Sequence, residues 1–72
     1  MKDKPECITY ANGTKYWYLN GKLHRTDGPA VEYADGTKRW YLNGKAYSKD
    51  NYYQELYKRG IISKEEYFVE ML

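Results

Sequence analysis

A thirteen-residue segment occurs twice in this chain, 23 residues apart, and that duplication limits the folds open to it. Tyr10–Lys22 reads YANGTKYWYLNGK and Tyr33–Lys45 reads YADGTKRWYLNGK, identical at eleven of thirteen positions. A 23-residue period falls among stacked supersecondary units, each too small to bury a face without a neighbour. Each copy carries two hairpin signals: Asn12-Gly13 and Asn20-Gly21 in the first, Asp35-Gly36 and Asn43-Gly44 in the second. Such pairs tolerate positive φ at both central positions, so type I′ turns are expected at all four. Asp27-Gly28-Pro29 marks a further turn, with Pro29 opening a strand where a missing N–H is tolerated. The reading is an antiparallel meander with strands near 7–11, 14–19, 22–25, 29–34, 37–42 and 45–47.

Side-chain alternation assigns the two faces. Lys15, Trp17 and Leu19 share one side of the first long strand, and Lys38, Trp40 and Leu42 repeat them in the second. Indole and leucine make the better core face, with the lysine stems along its rim. The other side then carries Tyr16, Tyr18, Arg39 and Tyr41.

After Tyr47 the period changes from two to that of a helix. Ser48 suits an N-cap, Tyr52, Tyr53, Leu56 and Tyr57 recur at helical spacing, and Gly60 suits the C′ position. Ser63-Lys64-Glu65-Glu66 reads as a capping box opening a second helix, whose apolar residues are Tyr67, Phe68, Met71 and Leu72. Neither helix is long enough to stand alone, so both are expected to pack on the Trp/Leu face. The expected fold class is α+β, as a single domain over residues 1–72. It consists of a β-meander of two hairpin repeats over 7–47 and a short C-terminal αα-hairpin over 48–72.

Composition narrows the function classes. A 72-residue chain buries only about 60% of its extended surface and usually needs a staple. With one cysteine and one histidine, neither an internal disulfide nor a His/Cys zinc site within one chain can supply it. Self-association as a homodimer, or partner binding, is the compensation that remains. No stretch approaches the ~18 apolar residues of a membrane span. The lone cysteine and the absence of a signal-like segment point to the cytoplasm, and the polar start Met-Lys-Asp-Lys-Pro is expected to fray. Net charge is +2 from 12 basic and 10 acidic residues, too balanced for a nucleic-acid footprint. The second helix is acidic and apolar, which argues against DNA reading by the helical hairpin.

Catalysis is not expected. His24-Arg25-Thr26-Asp27-Gly28-Pro29 is the one run resembling a site, but no Ser or Cys nucleophile accompanies it at recognisable spacing. It reads as a capped turn with Asp27 accepting from backbone N–H groups. Glu65-Glu66, the paired carboxylates, is explained by helix capping, and no cofactor or metal is implied. Ten of the thirteen aromatic residues are tyrosine, which suits both pleated surfaces and interaction faces. Tyr16, Tyr18, Arg39 and Tyr41, with His24 and Arg25 from the adjoining turn, are therefore the partner-binding candidates.

The run Trp17–Ala30, WYLNGKLHRTDGPA, resembles the WYxNGxxHRxDGPA repeat of small phage and prophage proteins, and more distantly MORN-type and YwqK-like serial hairpins. Leu56–Tyr67 resembles the SHOCT motif, a two-helix module associated with oligomerisation. The first resemblance implies a phage origin and a hairpin-repeat fold. The leading expectation is a non-enzymatic protein-binding module: a phage-encoded inhibitor of a bacterial defence, CRISPR-type or other, or of a host enzyme complex. Two alternatives stay open, an oligomeric sponge for a nucleotide signal and a single-strand nucleic-acid binder using Lys15, Lys38 and Arg39.

Overall fold

The computed structural model describes residues 4–72, so the start of the segment expected to fray, residues 1–3, lies outside the described residues. It is an α+β fold: a six-stranded antiparallel sheet, mostly hairpins, followed by two helices. The strands are β1 (Glu6–Thr9), β2 (Lys15–Leu19), β3 (Lys22–Leu23), β4 (Val31–Glu32), β5 (Lys38–Leu42) and β6 (Lys45–Tyr47). The helices are α1 (Lys49–Lys58) and α2 (Lys64–Glu70).

The strand order is β1-β2-β4-β5-β6, with β3 also on β2. Each repeat is a three-stranded unit, and the 23-residue offset relates β1-β2-β3 to β4-β5-β6. Ile8 pairs with Tyr16 and Thr9 with Lys15; one period later Val31 pairs with Arg39 and Glu32 with Lys38. The two units join where β4 lies along the first half of β2, through Lys15 with Glu32 and Tyr16 with Val31. β3 takes the second half of β2, through Tyr18 with Leu23 and Leu19 with Lys22. Two short strands thus share one slot between β2 and β5.

Two of the four turns differ from expectation. Asn20 and Asn43 have φ of 53° and 51°, each followed by a glycine at positive φ, as type I′ turns require. At Asn12-Gly13 and Asp35-Gly36 only the glycines are left-handed, at 93° each. These are three-residue loops closed by glycine: Tyr10 N–H donates to the Thr14 carbonyl and Gly13 N–H to that of Tyr10, and Tyr33, Thr37 and Gly36 repeat the arrangement. The Asn12 and Asp35 side chains accept the N–H of Thr14 and Thr37, both at 2.9 Å, and this bond lets the first residue keep negative φ. It also holds the exposed Asp35 carboxyl below the usual carboxylate range.

The helix signals are realised closely. Ser48 caps α1 by accepting the Asn51 N–H, and Ser63 with Glu66 forms a reciprocal capping box on α2. α1 ends in a Schellman arrangement, with Ile61 N–H on Leu56, Gly60 N–H on Tyr57 and Gly60 at φ 74°. The helices cover the Trp/Leu face, but over the second repeat alone. Leu42, Tyr52, Tyr53 and Leu56 form the buried cluster, with Trp40, Tyr47, Ile62, Tyr67 and Met71 packed against it. Phe68 and Leu72, read as part of the α2 core stripe, are exposed.

Tyr52 joins helix, sheet and loop. Its ring is fully buried against Tyr53 and Trp40. Its hydroxyl donates to the Gly28 carbonyl at 2.9 Å and also bonds that of Arg25. Burial raises its pKa well above the phenol value, so the proton stays in place at all ordinary pH. In urea denaturation, Tyr52→Phe should lower stability by about 1–3 kcal/mol through its orphaned carbonyls. Trp40→Ala, which removes a ring packed against the buried cluster, should cost about 3–5 kcal/mol.

Candidate functional site

The sheet face turned away from the helices is built by the period-two alternation of β1, β2, β4 and β5. Ile8, Tyr16, Val31 and Arg39 lie opposite one another in register across these four strands, and so share that face. Tyr18 shares it as the next same-side residue of β2, and Tyr41 as that of β5.

The rings on this face contact one another. Tyr16 stacks on Tyr18 with centroids 6.1 Å apart and planes 9° from parallel. It meets Tyr10 edge-on at 5.3 Å and Tyr33 edge-on at 6.4 Å. Partial burial, and next the neighbouring Tyr33 ring, raise the Tyr16 phenol pKa. Tyr10 and Tyr33 come from the hairpin loops, at equivalent places in the two repeats, and the assignment of sites by strand alternation alone missed both. Their position one residue before each Ala-Asn-Gly or Ala-Asp-Gly turn is the signal that could have found them. Val31, in the middle of the row, has only 1% of its surface exposed although the helices pack on the opposite side. Val31 is thus closed off, and the accessible face consists of phenols with the exposed Ile8 on one edge strand and the exposed Arg39 guanidinium across from it. Beside it lies a half-open depression of about 340 Å³, lined by Lys4, Glu6, Ile8, Tyr18, Asn20 and Gly21 among others.

The structure brings together four of the six residues singled out from sequence: Tyr16, Tyr18, Arg39 and Tyr41. Arg25 is placed elsewhere. Its guanidinium lies 3.9 Å over the Trp17 ring on the helix side of the sheet. There it donates to Asp27 at 2.7 Å, to Glu32 at 2.9 Å and to the Pro29 carbonyl at 3.0 Å. Burial works against the charge, but the two carboxylates outweigh it and raise the Arg25 pKa. Asp27 thus receives a guanidinium rather than capping backbone N–H groups, because Arg25 folds back under the Gly28 turn. The contact is close: a Cβ at Gly28 would lie 3.0 Å from the guanidinium carbon. Lys15 and Lys38 lie on the side opposite Arg39, so the three cations named for single-strand binding are split between two faces.

His24 has a structural bond. Its Nδ1 accepts the backbone N–H of Asn43 at 3.0 Å, tying the β3 end to the β5–β6 turn. Among the described residues no group of three His, Cys, Asp or Glu side chains could hold a metal ion. No helix there is long and apolar enough to cross a membrane. Comparison with family models, with curated proteins and with solved structures finds no match to this chain.

The His24 bond gives a pH dependence. Burial, and then the Arg59 charge, lower its pKa below 6.5, so the neutral ring is favoured in the fold. The stability this contributes is complete above 6.5, the unfolded value, and is lost as pH falls through the folded value. Thermal melts between pH 8 and pH 5 should show this loss in the parent chain. In His24→Gln, which has no ring to protonate, that component of the pH dependence should vanish.

Proposed function

We propose that the chain is a non-enzymatic protein-binding module that docks through the Tyr10, Tyr16, Tyr18, Tyr33, Arg39 and Tyr41 face. The observation that carries this reading is the contiguous phenol cluster left open on the sheet face that no helix covers. Tyrosine and arginine are the residue types that dominate protein-docking hot spots. Their rings and planar head groups bury large area at small entropic cost, and their polar atoms stay satisfied at a wet rim. The matching partner surface carries apolar groups to meet the rings and an acidic group to meet Arg39.

The resemblance of Trp17–Ala30 to phage and prophage repeats makes a bacterial host or defence protein, reached in the cytoplasm, the partner class. On this reading the chain acts as an inhibitor by covering its target. A protein partner is favoured over single-stranded nucleic acid because the cations do not gather beside the rings.

The test is capture by immobilised chain from lysate of a phage-infected bacterium, followed by titration of the captured protein in pure form. Tyr18→Ala combined with Arg39→Glu should weaken that binding at least tenfold, while the thermal melt stays close to the parent's. Lys45→Ala, on the opposite face, should bind as the parent does. Equal weakening by both variants, or no effect of the first, would remove the tyrosine face from the interaction.

A further inference from the structure

The junction between the two repeats is a pattern that the two edges of the described sheet do not complete. At the junction β4 lies on the open half of β2. Trp17 N–H donates to the Ala30 carbonyl at 2.8 Å, and Ala34 N–H to the Thr14 side chain at 3.2 Å. The contact closes three residues almost completely: Thr14 is 6% exposed, Ala30 0% and Val31 1%.

Each of these has a counterpart 23 residues away that is open. Thr37, the equivalent of Thr14, is exposed, as are Cys7 for Ala30 and Ile8 for Val31; Ile8 reaches 45%. The sequence around them is kept: Thr37-Lys38 repeats Thr14-Lys15, and Tyr10-Ala11 repeats Tyr33-Ala34. In the strand pairings, β1 ends the sheet on one side, and β6 covers only Trp40–Leu42 of β5 on the other. Beside Lys38 and Arg39 no strand pairs on that second edge among the described residues. Lys38 and Arg39 are exposed there, and Tyr52 ties α1 to the β3–β4 loop.

Backbone direction agrees. Tyr10 N–H is spent on Thr14 within the first hairpin, so alternation turns the polar groups of Cys7 and Thr9 outward from β1. Residues 6–9 include no lysine or proline, the usual guards of an edge strand.

We propose that copies of this chain associate head to tail, β1 of one copy occupying the open half of β5 in the next, in the register β4 adopts on β2. Thr9 then lies opposite Lys38 and Ile8 opposite Arg39. The backbone N–H and carbonyl of Lys38 then face those of Thr9 of the next copy, and Ala11 N–H meets the Thr37 hydroxyl; Trp40, paired with Tyr47 of β6, stays outside the new ladder. No like charges are opposed. The interface is heterologous, so it propagates rather than closing a two-fold dimer. Its two-residue ladder makes it weak and concentration-dependent.

Sedimentation velocity from micromolar to millimolar protein should show the mean mass rising from the 8.6 kDa monomer. Amide shifts over the same series should concentrate at residues 7–11 and 37–40. Thr9→Pro removes one outward N–H and spares the bonds of β1 to β2; Lys38→Pro removes the matching donor on β5. Each variant alone should remain monomeric, and a mixture of the two should form one dimer and nothing larger. A mass fixed at the monomer up to millimolar concentration overturns the proposal. So do dilution shifts confined to the tyrosine face or helices, a result that does not depend on either proline variant folding.

Discussion

Tyr52 is the point on which the arrangement turns. Its ring fills the space between the sheet and the helices, and its hydroxyl holds the carbonyls of the β3–β4 loop. Those carbonyls belong to a seven-residue crossing that leaves β3, passes β5 and returns as β4, so it has no ladder to satisfy them. Buried carbonyls without a donor are costly, and one phenol supplies the donor while adding a large apolar ring. Sheet, loop and helix are therefore stabilised by one side chain that none of them could replace locally.

The Arg25 clamp does related work on the same loop from the first repeat. Its guanidinium covers Trp17 much as the helices cover Trp40, and it does so with carboxylates from the loop and from β4. The two repeats are nearly identical in their strands yet use different covers for their indoles. That difference follows from position: the segment after β3 must return to the sheet, whereas the segment after β6 is free to become a helix. His24-Arg25-Thr26-Asp27 and Tyr47-Ser48-Lys49-Asp50 occupy equivalent places in the repeat and divide these roles.

Much of this was legible in the sequence where one local rule acts alone. The six strands, both serine caps, the Gly60 stop and the indole-in, phenol-out alternation of β2 and β5 all follow from spacing or from a single residue's conformational preference. Asn12-Gly13 was not, because the same dipeptide serves a type I′ turn and a glycine-closed three-residue loop. In the structure the Asn12 side chain accepts the Thr14 N–H, whereas Asn20 and Asn43 take positive φ themselves. Arg25 was misplaced for a different reason. In a string of turn formers its side chain reads as solvated, and only the approach of Glu32 from the next repeat shows that it is internal. The unequal covering of Trp17 and Trp40 depends on which repeat the helices fold over, which no window of sequence contains.

The tyrosine face and the open edges are separate consequences of the same repeat. The face arises from the pleat, which sends alternate residues away from the helices. The edges arise from the pairing: among the described residues no strand pairs with β5 beside Lys38 and Arg39, or with the outer side of β1. A partner bound on the face would sit perpendicular to the direction in which strands add, so docking and end-to-end pairing do not compete for the same atoms. Copies aligned through their edges would carry their phenol clusters on one side of a longer sheet. Weak contacts repeated along such a strip gain from effective concentration without any new chemistry at each site. That gives a chain too small for an extensive core a physical use for the surface it cannot bury.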